Sequence, residues 1–231
     1  MTDLPPLSII IPALDAAASL PATLAALAEG RAPGLVHEVL VIDGGSRDAT
    51  PRLAEAGGAR VVATARGRGH QLVAGSEAAS GEWLLFLHAD TRLGRGWAAA
   101  VGAFIARPEN ARRAGYLRYR LDDPAAAARR LEALVAWRCR LLALPYGDQA
   151  LLIARRFYDE LGGFRPLPLM EDVEFARRIG RRRLAPIAAD AITSAARYRR
   201  GGYVARPLRN LGCLTLYFLG LPPHVLVRLY G

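Results

Sequence analysis

Gly81-Glu82-Trp83-Leu84-Leu85-Phe86-Leu87-His88-Ala89-Asp90-Thr91-Arg92 decides how this chain is read. Trp83 to Leu87 is an unbroken run of large apolar residues, opened by a glycine and too short for a typical helix. A strand covered on both faces of a sheet reads this way. The run stops at His88-Ala89-Asp90, which sets two metal-ligand residue types at the carboxyl end of the strand. In an open parallel sheet that edge is where ligands bind. A carboxylate there can hold a divalent cation against a phosphate. The plainer alternative is that Asp90 only caps the following helix and His88 packs in a loop. The stretch alone does not separate the two.

The chain around it has 231 residues, enough for one large domain or two small ones with a real core. Apolar content of 52% and charged content of 23% are ordinary for a soluble globular protein. The net charge of +10 is not ordinary, and all 31 basic residues are arginine. With so much Ala and Gly, the missing lysine fits the codon bias of a GC-rich genome. Such a charge still implies an anionic partner: nucleic acid, a phosphorylated small molecule or an anionic membrane surface. No basic run is interleaved with stacking aromatics, as single-strand binders require, so nucleic acid ranks last.

Cys139 and Cys213 fit neither a disulfide framework nor a zinc site, which suits a reducing cytosol and a cytoplasmic protein. Met1 to Pro6 lacks a basic region followed by a long apolar one, so no signal peptide is expected. The longest uncharged stretch, Asn210 to Val227, is broken by Pro222-Pro223. What remains, Leu211 to Leu221, is too short to cross a bilayer.

Taken in order, Leu7 to Pro12 reads as a first strand, and Leu20, Leu24 and Leu27 mark one face of a helix that Gly30 can end. Glu38 to Asp43 is a second buried strand closed by Gly44-Gly45-Ser46. Thr50 can N-cap the next helix, with Pro51 at its first position. Arg60 to Ala63 is a short strand, and a helix from about His70 to Ala79 leads to the Trp83–Leu87 strand. Strand and helix alternating this regularly predict a parallel sheet with right-handed crossovers. Beyond it, Tyr116 to Leu121 alternates like a half-exposed strand, and Asp123-Pro124 opens a long helix. Ala150 to Ala154 reads as a strand, Arg156 to Leu161 as a helix, and Met170-Glu171-Asp172 leads into a helix to about Ile179.

Each constellation of polar residues has two readings. Asp43 ends a buried strand before two glycines, where its carboxylate can meet a base or ribose, or can simply cap a tight turn. Asp48 suits a first-turn helix acid as well as a ligand contact. Arg66-Gly67-Arg68-Gly69-His70-Gln71 is a cationic loop before a helix, a phosphate clamp or a solvated loop. It is not a Walker loop, and no dinucleotide fingerprint follows the first strand. Glu171 and Asp172 satisfy the helix dipole wherever they point. In a cleft, Asp172 would serve as a general base and Glu171 would position an acceptor. Arg177-Arg178 and Arg181-Arg182-Arg183 read mainly as a solvated face.

Four motifs in this order resemble the family-2 glycosyltransferases of the GT-A fold. They are Ile9 to Asp15, Glu38 to Thr50, Gly81 to Thr91 and Met170 to Phe175. Leu85 to Thr91 and Gly147-Asp148-Gln149 are most similar to a small bacterial subgroup, the radical-SAM/selenodomain-associated or arsenosugar-type glycosyltransferases. The resemblance covers nearly the whole chain. It implies an α/β fold with a mostly parallel central sheet flanked by helices and with C-terminal helices. It implies one domain over residues 1–231: a nucleotide-binding half (1–92), an acceptor and catalytic half (93–207) and an apolar helical segment (208–231). The donor would be a UDP- or GDP-sugar, the acceptor a hydroxyl, and the cofactor Mg²⁺ or Mn²⁺. Pro12, Asp15, Asp43, Gly44, Arg68, Gln71 and Ala89 would meet the nucleotide. Asp90 and His88 would hold the metal, and Asp148 and Gln149 would face the acceptor. Asp172, with Glu171 beside it, would be the base of an inverting transfer. Two positions depart from the pattern: His88 replaces the usual first Asp of the D-x-D motif, and Ala16 stands where many relatives carry Glu.

The chemistry is consistent with this assignment. Expelling a nucleoside diphosphate needs positive charge at the leaving group, and the attacking hydroxyl needs a carboxylate to take its proton. A nucleotidyltransferase is the first competing reading, but Pro12-Ala13-Leu14-Asp15 stands where its Gly-rich, Lys-bearing loop belongs. A non-catalytic nucleotide-sugar-binding or membrane-associated protein is the second. For the apolar C-terminal segment, packing over the domain or a homodimer interface ranks ahead of peripheral membrane contact. Neither helix predicted there has the basic polar face of an interfacial anchor.

Overall fold

The apolar runs of the N-terminal half become parallel neighbours. In the computed structural model, which describes residues 6–32 and 34–230, β1 (Leu7–Ala13) lies between β2 (Val36–Asp43) and β4 (Trp83–Phe86). β3 (Arg60–Ala63) flanks β2, again in parallel. Residues 1–5 of the stretch read for a signal peptide lie outside the described residues. Ile9, Ile10, Ile11, Leu84 and Leu85 are all fully buried. Both faces of these strands are covered, so their apolar runs do not alternate.

The crossovers are α1 (Leu20–Ala26) with the short α2 (Ala28–Arg31), then α3 (Thr50–Ala56) and α4 (Arg68–Ala78). Leu20, Leu24 and Leu27 are buried together, as their spacing predicts. Two expectations are corrected here. Gly30 lies inside α2 instead of ending a helix, and a Cβ on it would stand 2.5 Å from the Trp97 ring. Thr50 is the first residue of α3 instead of its cap, and its hydroxyl receives the Ala16 amide at 2.8 Å. α4 begins two residues before the predicted start, so Arg68 belongs to its first turn.

The second half adds β5 (Thr91–Leu93), α5 (Trp97–Ile105), β6 (Ala114–Leu121), α6 (Ala126–Leu142), β7 (Leu151–Ala154) and α7 (Arg155–Glu160). It continues through α8 (Glu171–Ile179), β8 (Leu184–Thr193), α9 (Ala196–Gly201), α10 (Ala205–Phe218) and α11 (Pro223–Tyr230). The eight strands form one sheet in the order β3-β2-β1-β4-β7-β6-β8-β5. β7 is antiparallel to β4 and β6, β8 is parallel to β6, and β5 is antiparallel to β8. Only β7 and β5 therefore oppose the rest, and the sheet is mostly parallel as expected. β5, α5 and β8 are absent from the sequence reading. β5 is very short, and β8 is alanine-rich with Pro186 inside it and its β-branched residues thinly spread, so neither stands out as a strand. Pro222-Pro223 does separate two helices, α10 and α11. Among the described residues, no helix is long and apolar enough to cross a membrane.

Candidate active site

The loops that follow β1 and β2 are tied to one another at the carboxyl edge of the sheet. Asp15 accepts the Arg47 amide at 2.8 Å and donates its own amide to Ser46 at 2.9 Å. Asp48 accepts the Ala17 amide at 3.0 Å and the Thr50 amide at 2.9 Å, so it is a structural acid. Asp15 holds φ 48, a left-handed conformation that a loop keeps only when its surroundings fix it. Beside this knot lies a cleft of about 360 Å³. Pro12, Asp15, Arg68, Gln71 and Ala89 line it. Asp43 and Gly44 are not among its walls. The Asp43 carboxylate accepts the amides of Gly45 and Ser46 at 3.1 Å, which is the turn-capping alternative. Gln71 donates both hydrogens of its amide at 2.7 Å, to the Ala13 and Ile42 carbonyls, and so clamps β1 to β2.

His88-Ala89-Asp90 forms the turn after β4. The Thr23 hydroxyl holds the Ala89 carbonyl from behind at 3.0 Å, and Ser194 donates its amide to the Asp90 carbonyl at 3.0 Å. His88 Nδ1 stands 4.0 Å from Asp90 Oδ1, and Arg197 stands 3.9 Å from Asp90 Oδ2. His88 Nε2 contacts the Arg68 guanidinium. A guanidinium only donates, so Nε2 must accept, and the neutral ring then carries its proton on Nδ1, towards Asp90. Burial, reinforced by Arg68 and Arg197, holds the His88 pKa well below the usual histidine range. His88 is thus a neutral spacer between a cation and a carboxylate. Among the described residues no group of three or more His, Cys, Asp or Glu side chains is arranged for a metal. Of the two ligand types in this turn only Asp90 presents an anionic oxygen, and His88 would become a ligand through Nδ1 only if Arg68 let go of Nε2.

On the other side of this turn lies a second cleft, of about 130 Å³. Asp172 reaches it from the first turn of α8. Met170, just before the helix, adopts φ 64, and this left-handed residue turns the chain so that both acids point inward. α8 is anchored beneath by Phe175, which packs on Tyr158 and Phe164, with Phe164 edge-on to Phe86 at 4.9 Å. Asp172 accepts the Gly147 amide at 2.9 Å and the Val173 amide at 2.8 Å. Glu171 is buried and pairs with Arg68 at 2.9 Å, while Arg68 also lies 4.0 Å from Asp172. Burial raises the Glu171 pKa and the Arg68 charge opposes that rise. Asp148 also lines this cleft. Its pKa is raised to about 6, chiefly by burial, and its Oδ1 has no hydrogen-bond partner among the described residues. Gln149 does not line the cleft, contrary to expectation. It is buried, with its amide on the Leu117 carbonyl at 3.2 Å and its oxygen receiving the Tyr146 amide at 3.3 Å.

The two clefts share Arg68, His88, Asp90 and Arg197, and only the second includes Asp148, Glu171 and Asp172. Sequence reasoning did not find Arg197, Tyr119, Tyr198, Arg206 or Asn210, which also line the second cleft. The sole trace of them is the basic, tyrosine-bearing run Arg197-Tyr198-Arg199-Arg200. Nothing in that run says that β8 will bring Arg197 next to Asp90.

A mostly parallel sheet with an acidic turn at the carboxyl end of a central strand and a second acid across the cleft is the arrangement of the GT-A fold. The sequence matches Glycosyl transferase family 2 over residues 8–203, so the chain belongs to that family and is a glycosyltransferase. No curated protein sequence matches it. The fold is shared with glucosyl-3-phosphoglycerate synthase from Mycobacterium tuberculosis. One structure of that enzyme matches with a TM-score of 0.61 and 22% identity, covering 90% of this chain and 79% of that one. Its complex with Mn²⁺, UDP and glucosyl-3-phosphoglycerate matches with a TM-score of 0.56 and 23% identity, over 82% and 70% of the two chains. Its complex with Mn²⁺, UDP-glucose and phosphoglyceric acid gives 0.55 and 25%, over 79% and 69%.

Proposed function

We propose that this protein is an inverting glycosyltransferase that moves a hexosyl group from a UDP- or GDP-sugar to an acceptor hydroxyl. The observation that carries the reading is the shared wall between the clefts. Cations and Asp90 stand where both clefts meet, and of these two clefts the candidate base Asp172 lines only the acceptor one. The M. tuberculosis enzyme of the same fold, crystallised with Mn²⁺ and UDP, supports a divalent cation and a nucleotide donor. In this reading residues 1–92 supply most of the donor cleft, and residues 93–207 most of the acceptor cleft. The chain works as one domain. Leu85 to Thr91 and Gly147-Asp148-Gln149 support a place in the radical-SAM/selenodomain-associated or arsenosugar-type subgroup.

The protein's groups divide the work. Asp15 and Pro12 flank the nucleotide. Asp90 would hold Mg²⁺ or Mn²⁺, which supplies positive charge at the leaving diphosphate. Arg197 and Arg68 add fixed positive charge on the same side. Asp172 takes the acceptor proton as the new C–O bond forms at the anomeric carbon. The old C–O bond breaks with its electron pair on the diphosphate. Attack opposite the leaving group inverts the anomeric centre. Both Asp172 oxygens keep a lone pair beyond their amide contacts, so the base is oriented but not consumed. Glu171 pairs with Arg68 at 2.9 Å and orients its guanidinium, which stands 4.0 Å from Asp172.

The test is release of nucleoside diphosphate from a panel of UDP- and GDP-sugars, with and without Mn²⁺ or Mg²⁺. NMR of the glycoside product then reads its anomeric configuration. Metal-dependent release with inversion is expected. Release of pyrophosphate from nucleoside triphosphates instead would assign the site to nucleotidyl transfer.

A further inference from the structure

The large apolar side chains left exposed are confined to two places. Among the described residues, four lie on α6 and six lie between Val204 and Val227. Isolated exposed leucines are ordinary, but a contiguous apolar face on one helix is not. α10 has two such different faces. Arg206 and Asn210 line the acceptor cleft, and Cys213 and Leu214, further along, are buried against Leu144, Met170 and Val173. Leu208, Leu211 and Phe218 recur at helical spacing on the outside, exposed by 61%, 56% and 48%, and Leu219 follows at 78%. Arg177 stands over the Phe218 ring at 5.1 Å, and the three leucines stay open to solvent.

Charge decides what covers this face. From residue 191 to 231 the chain has six arginines, at 197, 199, 200, 206, 209 and 228, and no Asp or Glu. Arg197 stands by Asp90, and Arg199 pairs with Asp122 and Asp123, so three acids from elsewhere in the chain meet this segment and positive charge stays in excess. A second copy of the chain would bring this basic segment against itself, and like charges across an interface oppose association. An anionic bilayer offers both an apolar interior for the leucines and phosphates for the arginines. α10 has 14 residues, too few to span but enough to lie along the surface.

We infer that the outer face of α10, continued by Leu219 and α11, docks this protein on the surface of an anionic lipid bilayer. Because Arg206 and Asn210 sit on the same helix, docking sets the acceptor cleft beside the lipid headgroups. The proposal stands independently of which sugar or acceptor the site uses.

Flotation with phosphatidylcholine vesicles, with and without phosphatidylglycerol, tests it on the intact chain. Wild-type protein is expected to float with the anionic vesicles. High salt should reduce this by screening the arginines. The double variant Leu208→Glu/Leu211→Glu should lower partitioning about tenfold or more. Both sites are exposed, so thermal melting and nucleotide binding should be unchanged. The proposal is overturned if wild type stays with the unbound fraction, or if the double variant floats equally well. It is also overturned if light scattering finds a dimer that the double variant dissociates while vesicles bind neither protein.

Discussion

Two side chains make energetic predictions. Asp148 has a folded-state pKa of about 6, above that of a free carboxyl, because burial disfavours its charge. The folded chain therefore binds the extra proton between about pH 4 and 6. The associated stability is complete below that window and is lost as the pH rises through 6. Asp148→Asn is expected to stabilise the metal-free protein at pH 7.5 by on the order of 1–3 kcal/mol and to flatten this pH dependence. Thermal melts at several pH values check both. Arg68→Met leaves Glu171 buried without its cation and should cost about 3 kcal/mol at pH 8. Because the Glu171 pKa is already raised by burial, part of that loss should return at pH 5 as it protonates. These residues also show what was legible. Asp90, Glu171 and Asp172 stand out in the sequence as acids at a strand end and a helix start, where a cap or the helix dipole would account for them equally well, and Asp148 comes only with the family resemblance. Asp43 and Gln149 carry the same signature, yet they spend their polar atoms on a turn and on the Leu117 carbonyl. Sequence cannot tell a polar group aimed into a cleft from one aimed at backbone.

At the scale of elements, the cleft proposed for the acceptor depends on two close approaches. The segment leading to Met170 packs on the first turn of α4, where a Cβ on Gly69 would stand 2.4 Å from the Leu167 carbonyl oxygen. Gly69→Ala should therefore push this segment and α8 away from α4. The expected cost is about 1–3 kcal/mol in chemical denaturation, with a loss of transfer activity. α10 and α11 provide the second approach, by burying Cys213, Leu214 and Leu226 against Leu144, Met170 and Val173. Truncation after Leu208 exposes the residues flanking Glu171 and Asp172. That variant is expected to aggregate during purification, whereas the Leu208→Glu/Leu211→Glu variant remains well folded. The inner face of this segment packs over the domain, one of the three readings that the sequence leaves open. The sequence could not reveal the outer one, since the division between faces depends on where α8 lies. β8 escaped notice for a related reason: an alanine-rich strand is held by β6 and β5 on either side, not by its own propensity.

Across the whole molecule, the parallel half was readable because strands buried on both faces leave long apolar runs, and glycine and proline punctuate them. The mixed half was not, because β7 enters antiparallel between β4 and β6 and no local signal sets that pairing. That insertion carries the Gly147–Gln149 turn to the Asp172 carboxylate and lets β8 deliver Arg197 to Asp90. The central claim is that the sheet edge separates a donor side, marked by Asp90, from an acceptor side, marked by Asp172. Calorimetric titration of the nucleoside diphosphate released by the preferred donor, with Mn²⁺, into wild type, Asp90→Asn and Asp172→Asn tests it most directly when paired with turnover. Asp90→Asn should abolish the metal-dependent part of binding, so that EDTA no longer changes its affinity. Asp172→Asn should bind the nucleotide as wild type does while turning over roughly 100-fold more slowly. Equal loss of nucleotide affinity in both variants, or wild-type turnover by Asp90→Asn in EDTA, would contradict the division.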